Sequence, residues 1–458
     1  MAHCGIEGIA HRRLLHAVDR SAAPTATRDG WQTHRVVQPV RRQRSLPQWW
    51  PGADPITDIL GVLTICVYGS WYYGYGVIID DVGVELGLGA AALGAAFGIA
   101  QILVGVLSTV AGRLLDRRGP QIVLGLLGPL GAVTLGFAGR AGQGWLFVVL
   151  FAAGGGVTGA AGFYHLTQAV LVRLSADEPR SAATSDPGLT RIIRLTIWGA
   201  LASPIAIPVT EAIRATAGWR LAIELPAGAA AVAFLVASRV IRRVPRGDSA
   251  PAVPVGDVVR RAAADPVLVR FVAGAFFAMA AVSTLLVFQV SIMRWAGLSA
   301  AGAAGFAGAR GLFQLAGRLP LRRALGRAGS WTLLGGARLM VAVACVVLLV
   351  AGSPVPAAAY VVIAGVSIGA LSALDGIVAR DVVPASEIGT LMGVISLAAA
   401  CGAGVAPVVA GRLTDATGTP VASAVMASAC ALISVMMLAA ARRRRIPASE
   451  HEAGTVPR

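Results

Sequence analysis

Charge is scarce in this chain: 14% of its 458 residues are Asp, Glu, Lys or Arg, against about 25% in an ordinary soluble protein. Lysine is missing altogether, so all 39 basic residues are Arg. That absence excludes a phosphate-cradling G-x-x-x-x-G-K loop and any Schiff base on a lysine amine. The six His contain no H-E-x-x-H or paired spacing, and only His165 falls in an apolar segment, so no metal site is expected. The five Cys (Cys4, Cys66, Cys345, Cys401, Cys430) stand alone, four of them inside apolar runs. They read as small core residues, not as a disulfide framework or a metal knuckle. No polar stretch between the first and last apolar blocks is long enough for a soluble catalytic or nucleotide-hydrolysing module, and no cofactor is implied.

What the chain has instead is apolar length. Hydrophobic residues make up 56% of it, with a mean hydropathy of +0.72. A chain of this size and hydropathy needs lipid around it, so it reads as an all-α integral membrane protein. Each spanning helix takes about 20 apolar residues. The apolar blocks give spans at 56–79, 90–111, 122–139, 145–168, 192–216 and 220–240. A second set follows at 267–291, 299–317, 331–351, 355–374, 388–410 and 419–441. With the N-terminus on the cytoplasmic side, only five Arg (Arg140, Arg214, Arg220, Arg294, Arg412) face the opposite side and four (Arg194, Arg270, Arg310, Arg338) fall within spans. All the others collect on the cytoplasmic side, the asymmetry of an inserted bundle. Both ends are therefore expected in the cytoplasm, in a multi-pass protein of a bacterial-type cytoplasmic (inner) membrane. The net charge of +16 is explained by this asymmetry, and nucleic acid is not an expected partner.

Residues 1–54 form a basic tail, expected to be disordered, without the apolar run of a signal peptide. Trp49 and Trp50 at its end suit an interfacial anchor. Residues 241–266, rich in Pro, Gly and Arg, read as a cytoplasmic linker between a six-span half at 55–240 and another at 267–441. The tail 442–458 opens with the run Arg442–Arg445. The string Ala-Gly-Arg-Leu recurs at 111–114, 316–319 and 410–413, the first two copies each ending an even-numbered span. Two such halves, related by an axis along the membrane normal, place a binding cavity between them at mid-membrane.

The most specific stretch is Gly112-Arg-Leu-Leu-Asp116-Arg117-Arg118-Gly119-Pro120, between the second and third spans. Gly112 permits close helix approach, Gly119 a turn with φ > 0, and Asp116 suits a helix N-terminus or an Arg partner. The stretch resembles the G-x-x-x-D-R-x-G signature of the major facilitator superfamily. Gln121 replaces the closing basic residue, and in the second-half copy, around Gly317 and Arg318, Leu321 stands in place of the Asp. Gly218-Trp219-Arg220 matches the external turn between spans five and six in that superfamily. Gly411-Arg412-Leu-Thr-Asp415-Ala-Thr-Gly418 is similar to a turn of monocarboxylate and oxalate/formate-type facilitators. Gly199 to Pro204 resembles an antiporter signature in degraded form, with Ser203 and Ile207 at glycine positions. The resemblance implies two pseudo-symmetric six-helix bundles, a transporter rather than an enzyme, alternating access as symporter or antiporter, a cytoplasmic latch at Gly112–Gly119, and function as a monomer.

In that fold spans 1, 4, 7 and 10 line the cavity. Tyr68, Tyr72 and Tyr75 recur at i, i+4, i+7 and so share one helix face, with Tyr72 and Tyr75 expected on the substrate path. Arg194, Arg270 and Arg338 lie near the cytoplasmic boundary and are expected to snorkel. Arg310 lies seven residues before Gly317, about 10 Å inside its span, where a charge needs water or an anion. By resemblance, monocarboxylate-type facilitators carry a substrate-binding Arg in this span, with an Asp one turn earlier where this chain has Phe306. Gln101, His165, Gln168, Gln289 and Gln314 are polar helpers. Glu211 and Glu224 are expected to pair with Arg214 and Arg220. Without a mid-membrane carboxylate, coupled protons would travel with the substrate or through His165. The expected substrate is a small organic anion such as a monocarboxylate. Efflux of amphipathic drugs or metabolites is the alternative, and an intramembrane lipid-modifying enzyme has only Asp80-Asp81 to build on. Single cysteines placed at Gln121 and at Gly142 should label from opposite faces of the membrane; labelling of both from one face would overturn the twelve-span arrangement.

Overall fold

The computed structural model describes residues 54–174, 187–241, 260, 263–382 and 388–445. The tail 1–53, most of the 241–266 linker and the chain beyond 445 lie outside the described residues, as do Trp49 and Trp50. Every regular element among the described residues is helical. Ten helices are long and apolar enough to cross a membrane. One of them, Arg191–Val240, reverses at Gly218 (φ 83), so it counts twice. The 19-residue Ala300–Arg318 is also long enough, its hydropathy lowered by Arg310 and Arg318. The result, among the described residues, is twelve helices long enough to span a membrane. α1 is Pro55–Leu86, α2 Ala90–Arg118, α3 Pro120–Ala138, and α4 Gly144–Gly162 continued by Tyr164–Leu174. α5 runs from Pro187–Ala200 on to residue 217 and α6 covers 219–240. α7 is Pro266–Trp295, α8 Ala300–Arg318, α9 Ser330–Leu349, α10 Pro354–Val382, α11 Ile388–Thr417 and α12 Val421–Arg445.

Local chemistry sets the boundaries. Asp54 caps α1, its Oδ1 accepting from the Ile56 and Thr57 amides, with Pro55 in the first turn, where its missing N–H costs nothing. Arg191 of α5 donates to Asp54 Oδ2 at 2.7 Å. Burial pushes the Asp54 carboxyl up, but the Thr57 hydroxyl and the Arg191 guanidinium outweigh it and hold it below the usual carboxylate range. At its other end α1 continues well past residue 79, because Asp80, Asp81 and Glu85 meet Arg294, Arg214 and Arg220. α2 likewise runs to Arg118, so the stretch from Gly112 to Arg118 is helix, not loop. The reversal is carried by Gly119 alone, at φ 83, a conformation that only glycine adopts without strain.

The first six and last six helices meet along three pairs: α1 with α7, α2 with α11, and α5 with α8. The α2–α11 pair is the tightest. Gly94 faces the Pro407 carbonyl and Gly98 the Gly404 carbonyl, backbone to backbone. With lipid on the outside, such pairs are held by close van der Waals packing, which small residues permit. The Ser203 hydroxyl of α5 similarly donates to the Gly308 carbonyl of α8. Gly98→Val has no room and should cost about 1–3 kcal/mol, the usual penalty of overpacking. A lowered unfolding midpoint in detergent checks this, and an unchanged midpoint would refute the contact.

Candidate functional site

Two ends of the bundle need names: the Gly119 end, where α1 begins, and the Gly218 end, where α5 turns into α6. A cavity of about 970 Å³ lies between α1, α2, α4, α7 and α11. Tyr68, Tyr72 and Gln101 line its inner part, and Gly112, Leu115 and Arg173 line it toward the Gly119 end.

The inner wall is made by an irregular segment of α1. Tyr68–Tyr73 winds as a π-helix, a geometry often found at functional sites. The widened turn changes which side chains share a face. Tyr68 and Tyr72 keep to the cavity, their rings 5.4 Å apart, and Tyr68 stacks on Phe163 of α4 at 3.9 Å. Tyr75 is rotated into the core. It is fully buried against Phe97 and Phe151, and its hydroxyl donates to the Leu93 carbonyl at 2.6 Å. The expectation of Tyr75 on the path is therefore corrected, because i, i+4, i+7 spacing presumes an uninterrupted α-helix.

Arg310 of α8 lies outside the cavity lining; it is 2% exposed, and its Nε and Nη2 find no acceptor among the described residues. Its backbone packs on Gly365 of α10, the helix that carries Tyr360. Tyr360 in turn donates to Gln289 Oε1 of α7 at 2.8 Å, and Gln289 and Gln314 are buried. Tyr360 and Gln289 thus tie α10 to α7 inside the second half, while Arg310 is buried on α8. Tyr360 was not singled out from the sequence, although as one of six Tyr, and in a span expected to line the cavity, it carried a signal. Gln314 sits where α8 packs on Gly369 of α10. His165 lines the cavity with its Nε2 2.6 Å from Ser108 Oγ of α2. Gln168, one turn further along α4, is half-buried and outside the cavity lining.

The latch residues fall less simply. Gly112 has open space on its α-carbon side rather than a close neighbour, so it borders the cavity instead of seating a helix. Arg117 is exposed, and the side chain of Asp116 lies outside the described residues. Gly317 packs on the Val366 carbonyl within the second half. Arg318 donates to Ser372 Oγ at 3.0 Å and to the Gly369 carbonyl at 3.4 Å, both within the second half.

The Gly218 end is held by charge. Trp219 Nε1 donates to Glu85 at 2.6 Å, and Arg220 holds Glu85 at 2.7 Å together with the Gly139 and Ala141 carbonyls. Glu224 is consequently paired with Arg140, not with Arg220 as expected; Arg214 pairs with Glu211 and Asp81. Two contacts join the halves here. Asp80 accepts from Arg294 and Ser291 of α7, each at 2.8 Å. Asp415, at the end of α11, accepts from the Ala90 and Ala91 amides at 2.7 and 2.9 Å, capping α2 of the other half. Gly411 packs on the Ala90 carbonyl, Arg412 is exposed, and Gly418 turns the chain at φ 69.

Two arginines expected to snorkel do not. Arg194 is 2% and Arg338 1% exposed. Arg194 Nε meets Asp58 Oδ1 at 2.9 Å, with Trp198 donating to the same oxygen, and Arg338 meets Asp375 at 2.9 Å. Each has a carboxylate on the neighbouring helix, which removes the reason to reach for water. Arg270 is half-buried and donates to the Pro266 carbonyl of its own helix.

The family model of the Major Facilitator Superfamily matches residues 60–374. This chain belongs to that superfamily. Among solved structures it is similar to the nucleoside transporter NupG (TM-score 0.70, 14% identity, 85% of this chain and 98% of that one). It is also similar to a bacterial homologue of the human lysosomal transporter Spinster, in an inward-facing, occupied form (0.63, 16%, 85% and 95%). A third is a POT family transporter in complex with 5-aminolevulinic acid (0.63, 15%, 87% and 99%). At such identities these likenesses establish the fold. No curated protein matches by sequence. The chain is an all-helical, multi-pass membrane protein and a secondary transporter of small solutes, not an enzyme.

In a facilitator that alternates access, the Asp415 cap must break whenever the Gly218 end opens. Removing a cap costs about 1 kcal/mol, so Asp415→Ala should raise the population open at that end by about fivefold. In a background without native cysteines, a cysteine at Phe288 should then label about five times faster. An unchanged rate would deny the cap a gating role.

Proposed function

We propose that this facilitator moves a small organic anion, with a monocarboxylate the favoured class, by rocking its two six-helix halves (55–240 and 267–441) about Arg310. The observation that carries the reading is the buried Arg310 guanidinium, whose Nε and Nη2 find no acceptor among the described residues. A charge at this depth is costly unless an anion or water compensates it. A carboxylate matches an arginine fork through two parallel hydrogen bonds. Tyr72, Gln289 and Gln314 supply uncharged polar contacts around that pair. His165, on the cavity wall beside Ser108, is the group available to exchange a proton with the cavity if protons are coupled. The basic Gly119 end is assigned to the cytoplasm of a bacterial-type inner membrane, with both termini on that side, and the working unit is one chain.

A second reading, efflux of amphipathic drugs or metabolites, draws on a different observation: the cavity is lined mainly by aromatic and aliphatic side chains. The two readings divide on charge. In counterflow with labelled carboxylates in proteoliposomes, Arg310→Gln should lower uptake at least a hundredfold, because one partner of a buried charged pair is worth about 3–5 kcal/mol. Transport at the wild-type rate by that variant would defeat the anion reading and favour the efflux one.

A further inference from the structure

We infer that the groove between α9 and α12 seats one anionic phospholipid, its phosphate on Arg442 and Arg443 and an acyl chain against Gly335 and Leu438. This lipid seat is independent of what the transporter carries. The groove, of about 410 Å³, lies at the Gly119 end, where α9 begins and α12 finishes. Trp331 and Thr332 in the first turn of α9 form one rim, and Arg442 and Arg443 in the last turns of α12 form the other. No carboxylate lines it among the described residues. Both arginines are exposed, and Arg442 gives one N–H to the Thr332 hydroxyl at 3.1 Å. That bond holds the guanidinium over the rim and leaves it further donors. Arginine forks match phosphate oxygens, indoles favour the membrane–water interface, and basic pockets between spanning helices hold anionic headgroups.

Below the rim the groove turns apolar. Leu438 and Val435 also line it, about 6 and 10 Å deeper than Arg442 at 1.5 Å per residue. Gly335 is what leaves it open. A methyl group there would meet only the Leu438 side chain, at 3.8 Å, and one on Gly336 would meet nothing. Leu339, Met340, Leu432 and Met436 on the same two helices are exposed, as befits surface turned to hydrocarbon. The recess recurs in the first half, where a groove of about 420 Å³ between α3 and α6 is lined by Gln121, Gly125 and Arg239. Gln121 and Gly125 follow the turning Gly119 at the same spacing at which Trp331 and Gly335 follow the turning Gly329. The recess thus belongs to the fold of each half, and the rims differ. One arginine and no indole line the first; two arginines and an indole line the second. Charge complementarity therefore assigns the anionic lipid to the α9–α12 groove. A free phosphate would satisfy the arginines and leave the apolar floor uncovered, and a zwitterionic headgroup would bring an ammonium against two guanidinium groups.

The test takes the full chain in detergent at constant ionic strength and titrates it with phosphatidylglycerol or phosphatidylcholine carrying brominated acyl chains. Bromine quenches a neighbouring indole, and the quenching lost in Trp331→Phe reports this groove. Phosphatidylglycerol should reach half-quenching of that component at a concentration at least about tenfold lower than phosphatidylcholine does. Arg442→Gln with Arg443→Gln should erase the preference, and Arg442→Lys with Arg443→Lys should keep it. Gly335→Leu fills the recess without touching charge, and should weaken both lipids at least about tenfold. Unfolding midpoints without added lipid separate loss of the seat from loss of fold. Equal quenching by the two lipids, a preference undiminished in the double Gln variant, or unchanged affinity in folded Gly335→Leu overturns the inference. Displacement of phosphatidylglycerol by inorganic phosphate at matched ionic strength would assign the arginines to a free anion, and overturns it too.

Discussion

Hydrocarbon offers no hydrogen bonds, so each polar group that enters the bilayer must find its partner inside the protein. Nearly everything particular about this molecule follows from how it meets that demand. Asp58 with Arg194 and Asp375 with Arg338 each join a carboxylate to a guanidinium on a neighbouring helix within one half. Buried pairs of this kind contribute little net stability over a well-packed apolar core, but losing one partner is costly. They therefore fix which helices are neighbours. Among these buried arginines Arg310 alone lacks a carboxylate in contact. It lies on a helix that joins the two halves, α8, between Gly308 and Gly311, which pack on Ser203, Pro204 and Pro208 of α5. The exception is informative because the rule around it is kept.

Contacts between the halves are of a different make from those within them. Within a half, Arg194 and Arg338 are buried against Asp58 and Asp375. Between halves, the α2–α11 seam relies on glycine backbones in van der Waals contact, and the Gly218 end on Asp80 with Arg294 and on Asp415 with two amides. The Asp80–Arg294 pair is open to water on both sides, with side-chain exposures of 41% and 33%. Exposed pairs are worth about 1 kcal/mol or less, and one cap about the same. Such bonds can be exchanged for water without a large penalty. A machine that must part its halves and close them again needs this division: strong satisfaction inside each rigid unit, weak and hydratable closure between them.

Much of this was legible in the sequence, for reasons that can be stated. Spans are long apolar runs, and a run of twenty cannot hide. The turns at Gly119, Gly218 and Gly418 were readable because positive φ needs glycine, and all three adopt it. What escaped was anything set by a neighbour distant in sequence. Arg194 and Arg338 look like snorkelling residues until Asp58 and Asp375 are seen beside them. α1 was cut short at its acids because Arg294, Arg214 and Arg220 are far along the chain. Tyr75 was misplaced for a local reason: a π-turn at Tyr68–Tyr73 leaves no mark in the hydrophobic period, yet it turns every later side chain to a different face.

The isolation of Arg310 also bears on how binding and movement would be linked. If an anion is the substrate, the state that seals Arg310 from water carries an uncompensated charge whenever the site is empty. That state is then disfavoured for the empty protein and favoured for the loaded one. A ligand shifts a conformational equilibrium only by the difference in its affinity for the two states. Here the difference is supplied by desolvation, since the same ion pair is worth more where water is excluded. The weak closure at the Gly218 end fits this arrangement, because strong gates would set the populations themselves and leave the substrate little influence over them. The lone arginine would thus do two things at once: recognise a carboxylate, and make the sealed intermediate accessible chiefly when one is present.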